Sequence, residues 1–195
     1  MSPRRAAPKP PADRSQALVA AAYHQIAQRG FEGLRTREVA AEVGVNVATL
    51  HYYFPSKEAL IRGVLNHAMQ RFRSTLPASP SPSASDQLRG HFAGVRRLVR
   101  DEPELFTVMG ELALRSTRDP VIGEIHRQMT DVWRAAMRGL LAKAVADGSL
   151  SGPRDADAQA SLVVAALMGA CMIPPFRPAR LRETVAELER SLGLR

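Results

Sequence analysis

Along the first part of the chain, apolar residues recur three and four positions apart. Leu18, Val19, Ala22 and Ile26 form one helical stripe, which starts at Asp13, where Asp13 and Gln16 have the form of a capping box, and stops at Gly30. The pattern predicts a short second helix over residues 37–43, with Thr36 as its candidate cap and Gly44 as its end. A third helix follows Asn46, a favourable N-cap residue, and runs to Phe54. Pro55-Ser56 breaks it, and Ser56 caps a fourth helix that carries Leu60, Ile61, Val64 and Leu65 to about Arg73. Further on, the periodicity predicts helices over 86–101, 103–117, 120–147, 155–173 and 179–192. Asp101-Glu102-Pro103, Asp119-Pro120, residues 148–153 and Pro174-Pro175 separate them. No strand pair and no internal repeat is seen, so the expected fold is all-α.

Composition divides this helical chain. Residues 1–12 hold four prolines with Arg4, Arg5 and Lys9 and are expected to be a flexible basic arm. Residues 77–85, PASPSPSAS, are expected to be a Pro/Ser linker. The predicted organisation is therefore a three-helix unit at 13–56, a connecting helix at 57–76, the linker, and a helical domain at 86–195.

Charge singles out the first part. Residues 1–75 hold 11 Lys/Arg against 5 Asp/Glu, whereas residues 76–195 hold 16 against 14. A polyanion would meet the excess on the N-terminal third. The single cysteine, Cys171, excludes an intrachain disulfide and suits a reducing cytoplasm. No apolar run approaches the roughly twenty residues of a membrane span, and the N-terminus lacks the apolar stretch of a secretory signal, so a cytoplasmic protein is expected.

Three consecutive rings, His51, Tyr52 and Tyr53, follow the glycine turn. Leu50 and Phe54, four apart, suit the buried side of so short a helix. Val47, Ala48, Thr49, His51, Tyr52 and Tyr53 are left around the remainder, with one tyrosine free to pack on the first helix. Two short helices joined by a glycine turn have the form of a helix-turn-helix, whose second helix enters the DNA major groove. Phenol hydroxyls and an imidazole N–H can donate to phosphate, and Val47 and Ala48 can lie against thymine methyls. Lys57 at the start of the fourth helix adds a phosphate contact.

The stretch TREVAAEVGVNVATLHYYFPSKEALI resembles the helix-turn-helix signature of the TetR family of bacterial repressors, and the likeness extends over about residues 14–65. Val39-Ala40, Gly44-Val45, Thr49-Leu50, Tyr53-Phe54, Ser56-Lys57-Glu58 and Leu60 fall in register. The chain departs from the signature in three places: Asn46 for the usual serine cap, Ala48 for glycine and His51 for tyrosine. The resemblance implies a homodimer with an N-terminal DNA-binding unit, a connecting fourth helix and a ligand-sensing helical domain. It implies DNA contacts from Thr49, His51, Tyr53 and Lys57; with the residues read directly from the sequence, the expected DNA-contact set is Arg35, Thr36, Arg37, Asn46, Val47, Ala48, Thr49, His51, Tyr52, Tyr53 and Lys57.

The C-terminal part carries no catalytic constellation. His67, His91 and His126 are scattered, with no metal-ligand spacing, and no nucleophile elbow frames a serine. Neither an enzyme nor a metal or cofactor site is expected. Phe106, Met109, Trp133, Met137 and Met168 lie on separate helices and are candidates to line a pocket for a small, largely apolar effector, although core packing accounts for such residues equally. Glu111 and Asp131 would favour a cationic ligand if they face inward. Helix 155–173 is apolar nearly all round and rich in alanine, so it and helix 179–192 are the expected dimer interface, burial within one chain being the alternative. The expected function is a ligand-responsive regulator that releases an operator on duplex DNA when its effector binds. The competing expectation is an architectural, nucleoid-associated DNA-binding protein without a ligand.

Overall fold

A computed structural model describes residues 11–73, 83–150, 155–172 and 177–194. Among them the regular elements are helices: α1 (Pro11–Arg29), α2 (Thr36–Val43), α3 (Val47–Tyr53), α4 (Lys57–Arg73), α5 (Ala84–Asp101), α6 (Pro103–Ser116), α7 (Pro120–Ala146), α8 (Ala156–Met172) and α9 (Pro178–Leu192), with a 3-10 turn at Phe31–Gly33. The chain divides into two units, residues 1–67 and 68–195, so the boundary falls inside α4.

In the first unit α1 packs on α2, and α2 on α3. Leu18, Ala22, Ile26, Val39, Leu50, Leu60 and Val64 are fully buried and form its core. Gln25, a buried amide on α1, accepts the backbone N–H of Arg35 at 3.3 Å and so fixes the residue from which α2 starts. Gly44 ends α2 with φ 74°, a left-handed conformation that glycine adopts without a Cβ penalty. Its N–H donates to Ala41 O (3.0 Å) and that of Val45 to Ala40 O (2.9 Å), satisfying carbonyls that the helix end leaves open.

The second unit is a helical bundle in which α7 packs against α5, α6 and α8, and α9 against α5 and α8. Asp119 caps α7 by accepting from Val121 N (3.0 Å) and Ile122 N (3.2 Å), and prolines open α6, α7 and α9 where a missing N–H costs nothing. Arg89 of α5 donates to the carbonyl of Leu194 at 2.8 Å and fastens the chain's end to the bundle. Gly110 of α6 meets α8 closely: a Cβ there would lie 2.9 Å from Met172 O. A side chain at that position would force the two helices apart.

Three sequence expectations need correction at their edges. Helix α1 starts at Pro11, so Asp13 lies in its first turn and does not cap it. Proline suits a first turn because its ring already holds a helical φ. Thr36 is the first residue of α2, and Arg35 takes the cap position without its side chain capping the helix. Helix α5 begins at Ala84, within the expected linker, because Ser83 accepts from Asp86 N at 3.4 Å and caps it. Most of the expected basic arm, residues 1–10, and residues 77–82 of the linker lie outside the described residues.

Candidate nucleic-acid interface

The interface is built from the turn and α3. Asn46 caps α3 through its side-chain oxygen, which accepts from Thr49 N at 2.7 Å and from Thr49 Oγ1 at 2.9 Å. Within α3 only Leu50 points into the core, joined by Phe54 just beyond the helix. That leaves Ala48, His51 and Tyr52 exposed and Val47, Thr49 and Tyr53 half-buried. Tyr52 is 81% exposed, a costly position for a large ring unless something covers it. The Tyr53 ring lies edge-on to it, with centroids 5.2 Å apart and planes at 85°.

Cationic groups flank this face unequally. Lys57 opens α4, where Ser56 Oγ accepts from Ala59 N at 3.1 Å. Arg37 is exposed on the first turn of α2. Arg35 is also exposed, but its guanidinium turns back on the preceding turn and donates to the carbonyls of Glu32 and Leu34. It therefore braces the turn, whereas Arg37 and Lys57 are placed to reach out. Sequence inspection passed over Gln25, whose signal is a lone amide on the buried side of an apolar helix.

In the second unit Met109, Trp133 and Met137 are buried, and Met168 is half-buried on α8. The Trp133 indole lies edge-on to Phe72, centroids 4.7 Å apart, and its Nε1 donates to Nε2 of His91. These rings fill the bundle's interior. A separate cavity of about 260 Å³ lies between α6 and α8, lined by Pro103, Phe106, Thr107, Gly110, Glu111, Leu114, Cys171 and Met172. Of the five proposed pocket residues, Phe106 lines it. The others were hard to foresee because its walls come from two helices remote in sequence. Burial pushes the Cys171 thiol up to about 12, which keeps it protonated at neutral pH. Burial likewise lowers the pKa of His126, whose Nε2 is buried without a partner. No group of three or more His, Cys, Asp or Glu side chains that could hold a metal occurs among the described residues. No described helix is long and apolar enough to cross a membrane.

Two short helices set by a left-handed glycine, the second presenting small and aromatic residues outward, define a helix-turn-helix DNA-binding unit. Residues 18–64 match the family model described as bacterial regulatory proteins, tetR family. Over this unit the chain is similar to the bacterial regulators of the tetR family, and the match covers about a quarter of its length. It is similar to the HTH-type transcriptional regulator RutR of Escherichia coli K12, 38% identical over 65 residues that span 33% of this chain and 31% of RutR. It is also similar to the nucleoid occlusion factor SlmA of Haemophilus influenzae, 34% identical over 105 residues, 52% of this chain and 48% of SlmA. The chain thus spans less than half the length of these curated relatives. The crystal structure of a TetR transcription regulator from Haloarcula marismortui overlays with a TM-score of 0.85 at 16% identity, covering 93% of this chain and 97% of that one. That likeness extends the shared fold to the C-terminal helices.

Proposed function

We propose that the protein is a homodimeric repressor that binds an operator through α3 and leaves it when a small, largely apolar effector occupies the C-terminal unit. The observation that carries this reading is the outward face of α3, where Tyr52 is 81% exposed beside Thr49, His51 and Tyr53. Such a face fits a major groove, with ring hydroxyls and Lys57 on phosphates and Val47 and Ala48 against bases. Two copies would read half-sites about 34–36 Å apart, or a multiple of that spacing. The partner surface we assign is α8 with α9: Ala158, Leu162 and Ala165 of α8 are exposed at helical spacing, and Leu162 is 64% exposed. A charged or polar side chain would be the ordinary occupant of such a position.

The cavity between α6 and α8 supports the effector part of the proposal. At about 260 Å³ it falls just below the usual range for ligand sites, ~300–1,000 Å³. Phe106, Leu114 and Met172 offer apolar contact, and Glu111 on the same wall favours a ligand that carries positive charge. Release requires that the effector bind the DNA-incompetent shape more tightly, by about 1–3 kcal/mol of coupling. The deciding experiment selects DNA from a random pool with the full chain, then titrates the selected duplex in a gel-shift assay with and without apolar cations. A recurring site, bound as a dimer and lost on adding a compound, is expected. Recovery of random sequence would overturn it.

The similarity to SlmA, a nucleoid occlusion factor, favours a second reading, an architectural DNA-binding protein without effector. It predicts binding that unrelated competitor DNA removes as readily as specific DNA, with a steep salt dependence.

A further inference from the structure

We propose that Thr49 meets DNA as a hydrogen-bond acceptor only, so that the base it reads carries an exocyclic amine, adenine or cytosine. The assignment rests on the operator-binding reading above and adds the polarity of one contact to it. Two donors converge on Oδ1 of Asn46, the backbone N–H of Thr49 at 2.7 Å and the Thr49 hydroxyl at 2.9 Å. An amide oxygen has no hydrogen to give, so both hydrogens come from Thr49. The reverse orientation of the Asn46 amide would set its NH2 against the Thr49 N–H, donor facing donor, and the cap would be lost.

A threonine hydroxyl has one hydrogen and two lone pairs. With the hydrogen committed to Asn46, half-buried Thr49 has only lone pairs left for a partner outside. Phosphate oxygens, guanine N7 and O6, thymine O4 and adenine N7 are all acceptors and cannot pair with them. In the major groove the donors are adenine N6 and cytosine N4. The exposed Asn46 has the opposite role: its oxygen is taken by the cap, and its NH2 is left to donate. One cap therefore gives two neighbouring side chains fixed and opposite hydrogen-bonding polarities. A serine in place of Asn46 would provide no outward amide.

The test uses the full chain and its selected operator. In each half-site, adenines are replaced singly by purine and cytosines by 2-pyrimidinone, which lack the amine, and Kd is measured for the native protein, Thr49→Val and Thr49→Ser. One position per half-site is expected at which amine loss weakens the native protein and Thr49→Ser about three- to tenfold beyond its effect on Thr49→Val. Thr49→Val keeps the shape of the side chain, and circular dichroism verifies its fold. In Asn46→Ala the freed hydroxyl can donate, so selection at that position should broaden to guanine or thymine. Amine losses that affect all three proteins equally would overturn the assignment alone. So would coupling of Thr49→Val to a methylphosphonate in the backbone. A pool that yields no recurring site overturns the operator reading and this assignment with it.

Discussion

The indole N–H of Trp133 donates to Nε2 of His91 across 3.0 Å, joining α7 to α5 inside the second unit. Both residues are buried, His91 completely. A ring nitrogen that accepts is unprotonated, so His91 carries its hydrogen on Nδ1 and enters the core neutral. Phe72, near the end of α4, lies edge-on to the same indole.

Removing both members of this pair should cost less than the two single removals added together. His91→Leu leaves the indole N–H unpaired in an apolar interior, a loss of about 1–3 kcal/mol. In the His91→Leu/Trp133→Phe double variant no donor is orphaned, and its destabilisation should fall short of the sum of the single losses. Urea unfolding of the four proteins measures this, and additive losses would show that the bond contributes nothing.

Lys57→Ala should weaken binding to all duplex sequences alike, because a lysine on phosphate carries no base information. The plot of log K against log salt should also lose about one unit of slope. Tyr53→Phe should likewise weaken binding without changing the selected sequence. An unchanged slope for the lysine variant would remove Lys57 from the contact.

Leu162→Glu should convert the proposed dimer to a folded monomer, as read by sedimentation and circular dichroism together. Val164→Asp should instead unfold the chain, because Val164 is buried within the protomer and an unpaired charge there costs several kcal/mol. A dimeric Leu162→Glu protein would move the interface off this face of α8.

Helix α8 also shows where the sequence stops being informative. It is apolar on nearly every side, so no periodicity tells which residues turn inward; Val164 and Leu167 are core residues, and Leu162 is exposed. The N-terminal unit was far more legible, because Gly44, Asn46 and Ser56 each fix a helix boundary by local chemistry that needs no distant partner. The start of α1 was misplaced because Pro11 can open a helix as well as precede one. The pairing of His91 with Trp133, and the cavity whose walls are α6 and α8, are tertiary and had no local signal.

Alkaline pH should destabilise the protein through Cys171. Its folded thiol titrates near 12 and an unfolded one near 9, so the unfolded chain gives up a proton first. Above the unfolded value the folded state holds more protons, and stability falls as pH rises, by at most about 1.4 kcal/mol per unit up to the folded value. Below it the group contributes no slope. Cys171→Ala should be flatter than the native protein between these limits, and identical pH profiles from guanidinium unfolding would refute the assignment.

The distribution of rings has a practical consequence. The three tyrosines, Tyr23, Tyr52 and Tyr53, all lie in the first unit, and Trp133, the sole tryptophan, lies in the second. Light absorbed by indole alone therefore reports on the interior of the C-terminal bundle, while phenol absorbance reports on the DNA-reading unit, most of all on solvent-facing Tyr52. The unmodified chain thus carries an optical channel for each unit, so events in the two can be timed separately without attaching a dye.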